Sequence, residues 1–233
     1  MAATEPLTRP LFPPLITGRS TVGFDDPWDR AVKGAAAGDL GAGDLLYSND
    51  PDVCRMVLIL EPEVPRARCR EMVPLLMAAF SDAAGSVIPS EIGVTFTWPS
   101  TIRLNGAAVG HVRCALDEQD DHAWMALGLT IQMAPLPGEN PGETPDLTSF
   151  ADEGCGEVTT LDLIESTSRH LMHWMHRWET DGFAPIHRHW WDRRDEKMPK
   201  AAGIPGKITG MDENGNAILK GPVPGMTIAE AMS

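Results

Sequence analysis

The chain has 233 residues, with 19 Lys+Arg against 33 Asp+Glu and a formal net charge of −14 at pH 7. Such a field repels phosphate polyanions and anionic lipid, which argues against sequence-independent nucleic-acid binding and electrostatic membrane docking. At 42% hydrophobic the chain has apolar material for a real core, so it is neither disordered nor fibrous.

The acidity is uneven. Up to Glu165 ten basic residues face twenty-five acidic ones, whereas from Ser166 onward nine face eight. Lys33 is the only lysine before Lys197. Cys54, Cys69, Cys114 and Cys155 show no CxxC pairing, which suits reduced thiols in a cytoplasm. The first eighteen residues lack the apolar core of a secretion signal, and no later run is long enough to span a bilayer.

In chain order, a Pro-rich extended start precedes two short apolar strands, Asp44–Asn49 and Arg55–Glu61, joined by the turn formers SNDPD. Residues 65–85 carry a helical pattern that Pro74 interrupts, which predicts a kink or a helix beginning one turn later. Four strands follow: GVTFTW, TIRLN, VGHVRCAL and WMALGLTIQM, with Asn105-Gly106 as a strong hairpin signal. A Pro/Gly-rich loop spans 134–153, and the acidic run Asp117, Glu118, Asp120, Asp121 reads as a solvated hairpin tip.

Thr159 and Asp162 form a capping box for a helix with Leu161, Ile164, Leu171, Met175 and Trp178 on one stripe, ending at Gly182. A second amphipathic stretch, APIHRHWWDRRDE, comes next, then strand, turn and strand around Asn214-Gly215. The predicted class is α+β: a mixed, mostly antiparallel sheet backed by helices over 1–200, with a small C-terminal β appendage over 201–233. His170, His173 and His176 do not present three ligands on one helix face, so no metal site is expected.

Several of these stretches, in order, resemble the biotin/lipoate protein ligase superfamily. Thr97-Trp98-Pro99-Ser100-Thr101 and the hairpin Leu104-Asn105-Gly106 resemble the ligases' Lys-Trp-Pro-Asn-Asp segment and its following turn. WMALGLTIQM resembles the next strand, whose usual ending is Gly-Ile-Asn. RWETDGFAPIHRHW resembles the helix, short turn and Gly-Phe-Ala-Pro element, and ITGMDENGNAIL the start of the small C-terminal β domain.

The resemblance implies one cleft on the sheet for a biotinyl, lipoyl or octanoyl-type group, with ATP and biotin or lipoate as cofactor and substrate and a biotinyl/lipoyl carrier domain as acceptor. The corresponding ligand-binding set is Trp98, Pro99, Arg103, Asn105, Gly110, Arg113 and Gly128, Arg103 and Arg113 being candidates to hold a carboxylate. Three departures bear on activity. The Gly/Arg-rich loop is replaced by YSNDPDVCR, the lysine before Trp-Pro is Thr97, and the catalytic-lysine position falls on Ala107 or Ala108. Removing cations from a phosphoryl site costs orders of magnitude in rate.

Cys155-Gly156-Glu157-Val158-Thr159-Thr160-Leu161 resembles a shortened octanoyltransferase segment, which implies a nucleophilic Cys155 whose thiolate a helix N-terminus would favour, with His111 as base. Three readings stay open: a ligase, a Cys-dependent acyltransferase, and a non-catalytic protein that binds a small carboxylate ligand or a carrier domain.

Overall fold

The structure is a computed structural model and describes residues 10–23, 25–117, 124–136, 144–196, 204–221 and 224–232. Glu118, Asp120 and Asp121 of the acidic run, and 137–143 of the Pro/Gly-rich loop, lie outside these residues. Strand β1 (Thr17–Ser20) leads into helix α1 (Pro27–Ala36), then β2 (Asp44–Tyr47) and β3 (Val53–Leu60). The short α2 (Arg66–Cys69) and the longer α3 (Met72–Gly85) precede β4 (Val94–Thr97), β5 (Thr101–Leu104), β6 (Ala107–Leu116) and β7 (Met125–Gln132). Helices α4 (Thr160–Asp181) and α5 (Ala184–Asp192) come before β8 (Ile208–Met211), β9 (Ala217–Leu219) and α6 (Ile228–Ala231).

Seven strands form one sheet in the order β1-β2-β3-β7-β6-β5-β4, and β8-β9 make a separate pair. Only β1-β2 is parallel; every other pairing is antiparallel. The architecture is therefore the mixed, mostly antiparallel α+β sheet that the patterning predicts. The interrupted helix resolves in favour of a late start. Pro74 stands third in α3, inside the first turn where no intrahelical N–H partner is required.

Helix α3 is buried on nearly all sides, as its apolar composition requires. Together with α4 and α5 it covers one face of the sheet, and the main core (Phe80, Leu127, Leu129, Phe150, Leu163, Trp190) lies there. Thr159 and Asp162 close the capping box on α4, so the orphan amides of that helix end are satisfied locally. Among the described residues the opposite face is covered by α1, whose small stripe Ala31 and Ala35 packs on Leu46, Val57, Ile59 and Ala126. Side chains from β8, β9 and α6 (Met211, Ala217, Leu219, Ile228) join the main core.

Candidate functional site

Alternation along the central strands decides what the α1 face carries. On β6, Val112 and Leu116 enter the main core, while Ala115 packs on the α1 side; His111 and Arg113, four and two residues earlier, share that side. On β7, Leu127, Leu129 and Ile131 are core residues, which leaves Ala126, Gly128 and Thr130 toward α1. The ladder then aligns rows across the sheet. Arg55, Thr130, His111 and Thr101 form one polar row, and Val57, Gly128 and Arg113 form the next. Helix α1 covers the second row and leaves the first at its edge.

The N-terminus of α1 reaches onto this floor. Asp26 caps the helix by accepting from the Trp28 amide at 2.9 Å, and its two oxygens accept from Arg113 Nη2 at 3.0 and 2.8 Å. The Arg113 guanidinium also lies 4.5 Å from the Trp28 ring centroid, a cation–π contact. Gly128 makes room for that ring, since a Cβ there would sit 2.8 Å from it. Arg113 Nε is buried and has no hydrogen-bond partner among the described residues.

Electrostatics follow from this packing. Burial would raise the Asp26 carboxyl, but the Trp28 amide, the Arg113 hydrogen bond and charge, and Arg55 outweigh it and hold the pKa below the usual carboxylate value. Packing around the His111 ring and then the Arg113 charge lower its pKa, with Asp26 opposing, so the imidazole is neutral at pH 7. The floor thus combines a fixed cation, a neutral imidazole and two threonine hydroxyls.

The other residues singled out from the sequence have structural work. Trp98 is 2% exposed in the main core, and its Nε1 donates to the Gly215 carbonyl at 3.0 Å, so neither ring face is open to a ligand. The Trp98-Pro99 peptide is cis, and Pro99 is half-buried at the strand end. Arg103 is buried; its Nε donates to Thr97 Oγ1 at 2.9 Å and its Nη1 to the Gly106 carbonyl at 2.6 Å, which pins the hairpin from below. Asn105 adopts φ 48° in that turn, accepts from the Gly93 amide and donates to Glu153. A Cβ at Gly110 would lie 2.1 Å from the Thr130 carbonyl, so glycine there permits the close strand approach.

Cys155 is 2% exposed and belongs to the main core, whereas His111 lies on the α1 face; burial, Glu153 and Glu91 raise the Cys155 pKa. The helix end that was to favour thiolate is already satisfied by Thr159 and carries the Asp162 carboxylate. Cys54 and Cys114 are also held as thiols, both pushed up to about 12 mainly by burial.

The positions that depart from the ligase pattern are occupied by backbone and acid. Between β2 and β3, Ser48 and Asp50 fold the turn on itself, and Asp50 holds Arg55 at 2.7 Å. At the start of β6 the Ala108 amide donates to Asp146, and its carbonyl accepts from Thr148, so residues 146–148 lie beside the position where a catalytic lysine would stand. This donor set does not fit a nucleoside triphosphate. His170 bonds back to the Ser166 carbonyl, and among the described residues no group of three His, Cys, Asp or Glu side chains is placed to hold a metal. No helix among them is long and apolar enough to cross a membrane.

Asp26 and Trp28, which complete the floor, carried one sequence signal: Asp-Pro is a helix N-cap followed by an N1 proline.

Fold and floor together define an α+β protein whose sheet has its main core on one face and, among the described residues, the single helix α1 on the other. A profile of the "Biotin/lipoate A/B protein ligase family" matches residues 12–192, and the chain belongs to that family. A biotin protein ligase-like protein of unknown function from Silicibacter sp. TM1040 superposes with a TM-score of 0.85 at 33% identity, covering 96% of this chain and 99% of that one. The biotin protein ligase of Aquifex aeolicus gives a TM-score of 0.73 at 15% identity over 90% and 95%. In sequence, the biotin–[acetyl-CoA-carboxylase] ligase of Paracoccus denitrificans is 24% identical over 184 residues, 75% of this chain and 76% of the relative.

Proposed function

We propose that this protein binds a small free carboxylate, of the biotinyl, lipoyl or octanoyl type that its family handles, on the α1 face of the sheet, and does not adenylate it. The observation that carries the proposal is Arg113. It is a cation fixed on the floor by Trp28 and engaged by Asp26 through Nη2 alone, while its buried Nε–H has no partner among the described residues. Leaving such a donor unpaired costs about 1–3 kcal/mol, which a ligand oxygen would recover. Neutral His111 and the hydroxyls of Thr101 and Thr130 would receive the rest of a polar head group, each in register with its neighbour across the sheet.

ATP chemistry has little support. Its cations are absent or spent: Arg55 is held by Asp50, and the lysine positions are Thr97, Ala107 and Ala108. The Cys-dependent route has no more, because Cys155 is a buried thiol away from His111. A carrier-bound acyl group is an amide without the carboxylate that Arg113 would grip, so the free acid is the favoured occupant. Titration calorimetry with biotin, lipoate, octanoate and their primary amides tests this. The acids should bind, the amides should not, and Arg113→Gln should abolish the signal. Release of pyrophosphate from ATP in the presence of any of these acids would sink the non-adenylating reading. Equal affinity of acid and amide would sink the role of Arg113.

A further inference from the structure

On the helix side, away from the α1 face, α3, α4 and the end of α5 border an open groove of about 640 Å³. Ser81 and Asp82 of α3, Arg169, His170 and His173 of α4, and Arg193 just beyond α5 line it. Two arginines and two imidazoles line it beside the Asp82 carboxylate, in a protein of net charge −14.

That carboxylate is committed. Asp82 accepts from Trp174 Nε1 at 2.9 Å, and its other oxygen faces His189 Nε2 at 3.5 Å and Arg193 Nη2 at 3.9 Å. Arg169 is paired with Glu165 one helical turn back but keeps 52% of its side chain exposed, as Arg193 keeps 39%, so both have donors left to turn into the groove. Arg169 and His173 are one helical turn apart on α4 and therefore share a face.

Ser81, His189 and Asp82 resemble a hydrolytic trio in composition only. Arg193 Nη1, which can only donate, sits 3.3 Å from His189 Nδ1, so the proton lies on Nε2. That Nε2–H points at Ser81 Oγ, 2.9 Å away, whose own proton goes to the Ala78 carbonyl at 2.8 Å. Asp82 faces the same histidine nitrogen as the serine. No imidazole nitrogen is free to take a proton from Ser81, so the cluster is arranged to hold a ligand and not to attack one.

We propose that this α3–α4–α5 groove is a binding site for a phosphate-type oxyanion, either free phosphate or the phosphate group of a small ester. The volume lies in the range of small-metabolite pockets and exceeds what one phosphate fills, which favours the ester. Arginine forks supply paired donors to oxyanions, and the cationic patch draws an anion that the acidic remainder of the surface repels.

The test is titration calorimetry and thermal shift of the full chain with inorganic phosphate and with glycerol phosphate, against sodium chloride at matched ionic strength. Saturable binding with a raised melting temperature is expected, the ester binding at least as tightly as phosphate. The double variant Arg169→Gln/His173→Gln alters two exposed side chains and should weaken binding about tenfold, equivalent to about 1.4 kcal/mol. Arg113→Gln should leave phosphate binding untouched, which separates this site from the sheet cleft. The proposal is overturned by a chloride effect equal to that of phosphate. It is also overturned if the double variant binds like the native protein, or if Arg113→Gln removes binding.

Discussion

The two faces of the central sheet put the same strands to different uses. Toward the helices, β6 and β7 contribute Val112, Leu116, Leu127, Leu129 and Ile131, and three helices seal them into one core. Toward α1 the intervening positions are His111, Arg113, Gly128 and Thr130, under a single helix whose buried contacts are Pro27, Ala31 and Ala35. One face is organised by apolar area, the other by a charged pair, a ring and a missing Cβ. Stability and ligand recognition are therefore separable here: mutations behind the sheet should unfold the protein, and mutations in front should change what it binds.

The largest effect is expected behind the sheet. Phe80 is fully buried on α3 and meets Phe150 edge-on at 6.5 Å, so Phe80→Ala should cost about 3–5 kcal/mol in denaturant unfolding. Next comes Gly128→Ala, where the new methyl would collide with the Trp28 ring. Overpacking of about 1–3 kcal/mol is expected, with a change in the near-UV signal of Trp28; a neutral substitution would show that Trp28 does not pack there. Thr159→Ala removes the α4 cap and should cost about 1 kcal/mol, read from the urea midpoint at constant slope.

The smallest stability effect is expected at Arg113→Gln. The ion pair is partly exposed, 30% for Arg113 and 45% for Asp26, so solvent screening keeps the cost below about 1 kcal/mol while ligand binding is lost. A large stability loss there would erase the contrast between the faces. Asp26 gives the same contrast a pH dependence. Its folded pKa is below the unfolded value, so its contribution is complete above about pH 4 and disappears as the pH falls through the folded pKa. Asp26→Asn should lower stability by a constant amount near neutrality, where the contribution is complete, and flatten the profile in that acid window.

Much of the fold was legible because its signals are local. Asn105-Gly106 makes the turn, with φ 48° and 92°, and Thr159 with Asp162 makes the capping box. Strand alternation marked the central strands, although the extended start concealed β1. Helix α1 went unnoticed although Trp28, Ala31, Val32 and Ala35 recur at helical spacing; it is short and its buried stripe is small, and Asp26-Pro27 was its other signal. The site was half visible for the same reason. Arg113, Gly128 and His111 lie on recognisable strands, but what they meet is delivered by α1, eighty-seven positions from Arg113 in the case of Asp26. For Cys155, sequence proximity to a helix start does not show that a side-chain oxygen and a carboxylate have already taken that end.

The bond from Trp98 to Gly215 has a consequence for biogenesis. A central tryptophan finds its acceptor 117 residues later, and Met211, Ala217, Leu219 and Ile228 complete the same core. Contacts of such sequence separation close late, after their loop entropy has been met. On the ribosome, the nascent chain can pair its strands as they emerge but must hold Trp98 without its partner until Gly215 has followed it out. A stop codon ahead of Met211 would leave that indole and its neighbours exposed, and the product would be a substrate for chaperones and proteases rather than a shortened version of the same protein.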